Sequence, residues 1–198
     1  MGTREDIVAA AAKIMRAEGY AHATTKQIAR AAGYSEAALY KHFEDKTEIF
    51  LNVLDERLPE LGRLLDELPG RAGRRTVRAN LVEVARTAIA FYSEGFPISA
   101  SVFSSRRLLT AHRDRLRELG SAGPRGPVDG LAGYLRAEQR LGRVGRAVDV
   151  DAAATLLCGA CFQQAFLLNF TGERPAEEEL RKLATRLVKT LIAGILPS

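Results

Sequence analysis

Cysteine is scarce in this chain, with two residues in 198, both inside one apolar stretch at Cys158 and Cys161. That excludes a disulfide framework and points to a reducing, cytoplasmic setting. Long apolar runs are missing as well. None reaches about 18 residues without a charged or polar break, so no membrane-spanning helix is expected. The opening MGTREDIVAAAAKIM carries acidic residues at once and has no cleavable apolar core, so no signal peptide is expected. Asp6 stands where an N-myristoylation motif needs Ser or Thr. Strict alternation of β-branched residues is absent, which argues against a sheet. Histidine occurs three times, at 22, 42 and 112, far in sequence from the cysteines, and leaves no metal-ligand spacing. Paired carboxylates, nucleophile–base sets and phosphate loops do not occur in a supporting context, and the Gly-rich loops follow no strand. The chain is therefore read as a non-enzyme with no metal, catalytic site or cofactor.

One absence cuts the other way. The net charge is +5, which permits an anionic partner without locating one. Residues 1–46 hold seven Lys or Arg against six Asp or Glu, an excess of only +1. Residues 69–118 hold ten Arg against four acids. Net charge alone does not mark the opening stretch as a nucleic-acid binder, and Arg106, Arg107, Arg113 and Arg117 are read as part of a solvated face. What remains must come from pattern.

What is present is helical periodicity. With 46% hydrophobic and 27% charged residues, the chain buries a real core and is not disordered. Thr3 and Asp6 resemble a capping box before the stripe Ile7, Ala11, Ile14 and Met15, and Gly19 ends that helix. A short helix is expected from Thr25 to Ala32, ending at Gly33. Ser35 caps another, Glu36 to about Phe43. Asp45 and Glu48 open a long helix with the stripe Ile49, Val53, Leu54, Leu58, Leu61, Leu65 and Leu68, kinked or broken at Pro59. Residues 69–75 read as a loop. Helices are expected at about 76–95, 97–119 and 128–141, with the Pro- and Gly-rich segment 120–127 as a flexible connection. Asp151 caps an apolar helix to about Phe170, and Pro175 with three Glu opens the last helix.

Two helices around Gly33 match helix-turn-helix geometry. Ile28, Ala29 and Ala32 offer a small packing face, and Leu39 and Phe43 face inward. The run from Ala29 to Lys46, A-x-x-A-G-Y-S-x-x-x-L-Y-x-H-F-x-x-K, resembles the signature of the tetracycline-repressor (TetR) family over about residues 5–52. Tyr34 departs from the Val or Leu usual there, Ala37 from Gly, and Thr47 from Glu. The resemblance implies a three-helix DNA-binding domain, a larger helical ligand-binding domain and a homodimer. The expected fold is all-α, about nine helices, with a helix-turn-helix domain over 1–46 and a ligand-binding and dimerisation domain over 47–198. Glu36, Ala37, Ala38 and Lys41 are candidates for base edges in the major groove. Thr25, Tyr40, His42 and Lys46 are candidates for the DNA backbone, and Ser35 is expected in the same interface.

The last two helices are apolar enough to suggest packing against a second copy. Leu157, Cys161 and Leu168 on the first, with Leu180, Leu183, Leu187, Leu191 and Ile195 on the second, are the candidate dimer contacts. Cys158 and Cys161 read as small core residues, with a thiol switch as the lesser reading. Phe91, Tyr92, Phe96, Phe103 and Leu108, together with Tyr134, Phe162, Gln163, Phe166 and Asn169, are candidates for lining an apolar effector pocket. The resemblance thus implies a repressor released from a palindromic double-stranded DNA operator by a small hydrophobic or aromatic molecule. An activator, or a DNA-binding regulator with no small ligand, is the alternative. The helix Lys46–Leu68 is the expected lever.

Overall fold

The computed structural model describes residues 2–56 and 59–193. Among these it contains ten α-helices and no strand: α1 Thr3–His22, α2 Thr25–Ala32, α3 Glu36–Leu39, α4 Lys46–Glu56, α5 Pro59–Glu67, α6 Val77–Val102, α7 Arg106–Glu118, α8 Gly126–Arg140, α9 Val150–Thr171 and α10 Glu177–Ile192. Short 3₁₀ turns cover Leu68–Arg71 and Gly123–Arg125.

The chain forms two compact units. One comprises Met1–Leu58 with Gly95–Ser121, the other Pro59–Glu94 with Ala122–Ser198. The first is held by Ile7, Val8 and Met15 of α1, Ile28 of α2, Leu39 and Phe43, and Ile49, Phe50 and Val53 of α4. Ile98 and Val102 of α6 and Leu108 of α7 complete that core. The second packs α5 and α6 with α8, α9 and α10 through residues such as Leu65, Leu81, Ile89, Leu131, Leu135 and Val188. Here α8 passes so near α5 that a Cβ on Gly130 would lie 3.0 Å from Leu65 Cβ.

Several ends differ from the sequence expectation. Gly2, not Thr3, precedes α1, and its N–H donates to the Glu5 carboxylate at 3.1 Å. Gly19 interrupts α1 with φ 78°, after which one more turn runs to His22. Asp149 rather than Asp151 caps α9, accepting from the Asp151 and Ala152 N–H groups. Asp45 accepts from the Glu48 N–H as expected, but the Glu48 carboxylate returns to the Glu44 N–H. The kink expected at Pro59 adjoins residues 57 and 58, outside the described residues; Pro59 itself is the first residue of α5.

The largest difference is α6, which runs through Pro97 to Val102 instead of stopping near Gly95. Proline at 97 lacks the N–H that an uninterrupted helix would donate to the Ser93 carbonyl. The Asn169 side chain of α9 donates to that carbonyl at 2.9 Å and to its own Ala165 carbonyl at 3.0 Å. A side-chain amide supplies the hydrogen bond that the proline removes, so the helix need not end.

Candidate nucleic-acid interface

The reading head is built from local rules. Thr24 caps α2 by accepting from the Gln27 N–H, and the Gln27 side chain accepts from the Thr24 N–H at 2.9 Å. The Thr-x-x-Gln spacing is the sequence signal for this box. Gly33 closes α2 with φ 83°, a conformation that suits glycine. The Tyr34 N–H then reaches back to the Ala29 carbonyl at 2.9 Å. Ser35 caps α3 by accepting from the Ala38 N–H at 3.1 Å. The α-helix lasts only to Leu39, and residues 40–42 continue as tighter turns, with the Lys41 N–H on the Ala38 carbonyl and the His42 N–H on the Leu39 carbonyl.

Leu39 and Phe43 are buried. Truncating Phe43 to alanine would cost about 3–5 kcal/mol on that ground. The opposite face shows Ala37, Tyr40, Lys41 and His42 to solvent, with Glu36 and Ala38 half-exposed. Thr25 and Glu36 are tied together: the Thr25 hydroxyl donates to the Glu36 carboxylate at 2.6 Å and lies 3.3 Å from the Tyr40 hydroxyl. Glu36 is therefore braced to the start of α2, which leaves Ala37 and Lys41 as the exposed candidates for bases.

Lys46 does something other than offer its ammonium to solvent. Its Nζ donates to the Tyr20 and Ala23 carbonyls, each at 3.0 Å, and sits 4.2 Å from the Tyr20 ring centroid. Partial burial lowers its pKa. The cation thus caps the C-terminal end of α1, where a positive charge complements the helix dipole. Tyr34, one of the three departures from the family pattern, donates its hydroxyl to Asp6 at 2.9 Å and pins the turn to α1. Arg4 joins α1 to α4 through Asn52 at 2.7 Å and lies 5.0 Å from the Phe43 ring centroid. Arg107 of α7 pairs with Asp45 at 2.7 Å.

The profile of bacterial regulatory proteins of the tetR family matches residues 7–53. That of the AefR-like transcriptional repressor C-terminal domain matches residues 79–194. The chain belongs to the tetR family of bacterial transcriptional regulators. The nucleoid occlusion factor SlmA of Vibrio atlanticus is 32% identical over 124 residues, which make up 59% of this chain and 60% of that protein, so the match spans less than two thirds of that curated relative. Among solved structures, a TetR-family transcriptional regulator of Mesorhizobium loti superposes with a TM-score of 0.74 at 24% identity, over 98% of this chain and 97% of that one. SmeT of Stenotrophomonas maltophilia, in its complex with triclosan, gives 0.75 at 22% identity over 100% and 93%. At such identities the two structures share the fold.

The remaining candidates are dispersed over both units. Phe91, Tyr92 and Phe162 come together edge to face, with ring centroids 5.3 and 5.5 Å apart. Burial, and then the nearby Cys158 and Cys161, push the Tyr92 hydroxyl pKa up, so the phenol stays neutral. Tyr134 is fully buried. Its hydroxyl accepts from Asn80 at 2.8 Å and donates to Glu138 at 2.7 Å, while Arg143 pairs with Glu138 at 3.3 Å. That buried network fastens α6 to α8, a role its Tyr-x-x-x-Glu spacing on one helix face signalled. Asn169 is occupied by backbone carbonyls, as described above. Gln163 and Phe166 are exposed. Phe96, Phe103 and Leu108 belong to the other unit, where Leu108 is core and Phe103 is 77% exposed.

The dimer candidates divide similarly. Leu157 and Cys161 are buried in their own unit, and the Cys161 thiol points to the Ala85 carbonyl at 3.6 Å. Leu168, Leu180, Leu183, Leu187 and Leu191 pack against the same core and are half-buried. Ile195 lies outside the described residues. The apolar side chains that α9 leaves uncovered are others: Leu156, Phe162, Phe166, Leu167 and Phe170, the last 80% exposed. A helix that is apolar all round gives no sequence clue to which face its own fold covers.

Proposed function

We propose that this TetR-family protein is a cytoplasmic, ligand-responsive repressor that binds a palindromic DNA operator as a homodimer. The observation that carries the reading is the exposed face of α3 and the turns that follow it, with small Ala37 and cationic Lys41 opposite the buried Leu39 and Phe43. Short side chains admit close approach to the major groove, and lysine suits guanine acceptors or phosphates. Ser35, Tyr40 and His42 flank that face for the DNA backbone.

The uncovered apolar face of α9 supports pairing through Leu156, Phe166, Leu167 and Phe170, since a row of exposed apolar side chains marks an association surface. A two-fold dimer presents two reading heads to half-sites one helical turn, about 34–36 Å, or a multiple apart. The Phe91–Tyr92–Phe162 cluster, with the neutral Tyr92 hydroxyl as its polar handle, supports an apolar or aromatic effector. SmeT, similar in fold, has been solved with triclosan. An effector that binds one conformation better than the DNA-competent one lowers operator affinity by that difference.

The test is a selection of random duplexes by the purified protein, with and without a panel of apolar and aromatic compounds. An enriched palindrome whose capture one compound abolishes is the expected result. No enrichment at low salt overturns the DNA reading. A palindrome insensitive to every compound bound by the protein overturns the effector reading and favours a regulator without a small ligand.

A further inference from the structure

The reading head has a charge deficit that the rest of its compact unit makes good. Residues 1–58 hold eight Lys or Arg and nine Asp or Glu, so they carry no positive excess. Binding to DNA draws mainly on cations that displace condensed counterions. The other segment of the same unit, residues 95–121, holds five Arg against two acids, all of them on α7. Of these, Arg107 is spent on Asp45.

The placement of the other arginines is ordered. Leu108 turns the inner face of α7 into the core of the unit. Arg106, Thr110, Arg113 and Arg117 are all exposed. They follow one another at i, i+4, i+7 and i+11, which puts them on a single face about 16 Å long. Arg117 also pairs with Asp114 at 2.7 Å, both side chains more than half exposed. A surface pair of that kind is worth at most about 1 kcal/mol and yields to a phosphate. The Arg107–Asp45 bridge fastens the start of α7 to the loop between α3 and α4, the segment that follows Lys41 and His42 in the chain.

We propose that the arginine face of α7, Arg106, Arg113 and Arg117 with the Thr110 hydroxyl, is a second DNA-contacting surface that grips the phosphate backbone next to the half-site read by α3. Guanidinium groups suit this role, since each offers a bidentate fork to phosphate oxygens and stays charged at every physiological pH. The contacts are independent of base sequence. They set affinity and its salt dependence, while Ala37 and Lys41 set preference. The inference rests on the DNA-binding reading above and adds a surface to it.

The test is fluorescence anisotropy with a mixed-sequence duplex of about 30 base pairs, titrated across roughly 50–300 mM KCl, where log affinity falls by about 0.9 per phosphate contact for each decade of salt. Three proteins are compared with the unaltered chain: Arg106→Gln/Arg113→Gln/Arg117→Gln, a control Arg74→Gln/Arg78→Gln/Arg146→Gln that removes the same charge from the other unit, and Lys41→Ala. The α7 triple variant should lose about two to three from the magnitude of the slope, with the control near the unaltered value and circular dichroism unchanged. If the triple variant is poorly folded, Arg113→Gln alone should remove about one. An unaltered slope in the α7 variant, or an equal loss in the control, overturns the proposal. So does an unaltered slope joined to lost binding of polyglutamate, which assigns the face to an acidic polypeptide. If the unaltered protein binds no duplex at low salt, the DNA reading itself has failed. If only the α7 surface has been misread, duplex binding and its sensitivity to Lys41→Ala persist.

Discussion

Replacing Lys46 by methionine separates two roles for one cation. Methionine keeps an unbranched apolar stem and removes the charge. In the fold, the ammonium gives two hydrogen bonds to the carbonyls that end α1 and lies over the Tyr20 ring. A hydrogen bond to a charged group contributes about 1.5–3 kcal/mol, and a cation–π contact at a partly exposed site adds about 0.5–1 kcal/mol. Fixing a lysine side chain costs up to about 2 kcal/mol, and water takes over part of the carbonyl hydrogen bonding when the cation leaves. The net loss expected for Lys46→Met is about 1–2 kcal/mol. For a domain of this size that lowers the melting temperature by roughly 2–8 °C. The assay is thermal unfolding by circular dichroism, paired with the salt slope of duplex binding. A Lys46 whose ammonium holds α1 lowers the melting point and leaves the slope alone. An unchanged melting point with a slope smaller by about 0.9 would put the ammonium on a phosphate and refute the clamp.

Other consequences follow from the second unit. Burial pushes the Glu83 carboxyl up, but hydrogen bonds from Arg71 and Arg75 outweigh it and leave the pKa below its ordinary 4.5. A carboxylate lowered in the fold stabilises above its unfolded value and loses that contribution as pH falls through the folded one; the urea-midpoint gap between the unaltered protein and Glu83→Gln should therefore close as pH falls below about 4.5, and a gap that widens refutes the pairing. Burial pushes the thiols of Cys158 and Cys161 up to about 11 and about 12, so native protein near pH 8 should resist a thiol reagent until denaturant is added; rapid native labelling would revive a thiol switch. Asn169→Leu should cost about 1–3 kcal/mol by leaving the Ser93 carbonyl unpaired, and Pro97→Ala, which restores an N–H, should shrink that cost. Additivity of the two substitutions in chemical unfolding would show that Asn169 does not compensate the proline.

What the sequence made legible was local. The Ser35 cap, Gly33 and the Leu39–Phe43 spacing act within a few residues, and the structure has them where periodicity and capping put them. The role of Lys46 was hidden because its acceptors, Tyr20 and Ala23, lie more than twenty residues upstream and carry no side-chain signal. The continuity of α6 through Pro97 was hidden for the same reason, since Asn169 is 76 residues from Ser93. On the amphipathic helices apolar spacing told which faces are covered, but not by what. Thus Ile98, Val102 and Leu108 joined the reading-head core, and the leucines of α10 turned toward their own unit. The all-apolar α9 left its phenylalanines outside, where the sequence had placed leucines.

The exposed face of α3 is the centre of the functional reading, and Ala37→Glu tests it most directly. The substitution adds a carboxylate to a solvent-exposed position of a helix that tolerates it, so folding and melting temperature should be unchanged. In a groove lined by phosphates the same carboxylate is repelled. Duplex selection with the two proteins in parallel should yield a two-fold symmetric site for the unaltered chain and none for Ala37→Glu. Recovery of the same site at the same strength by both proteins would show that α3 does not enter the groove.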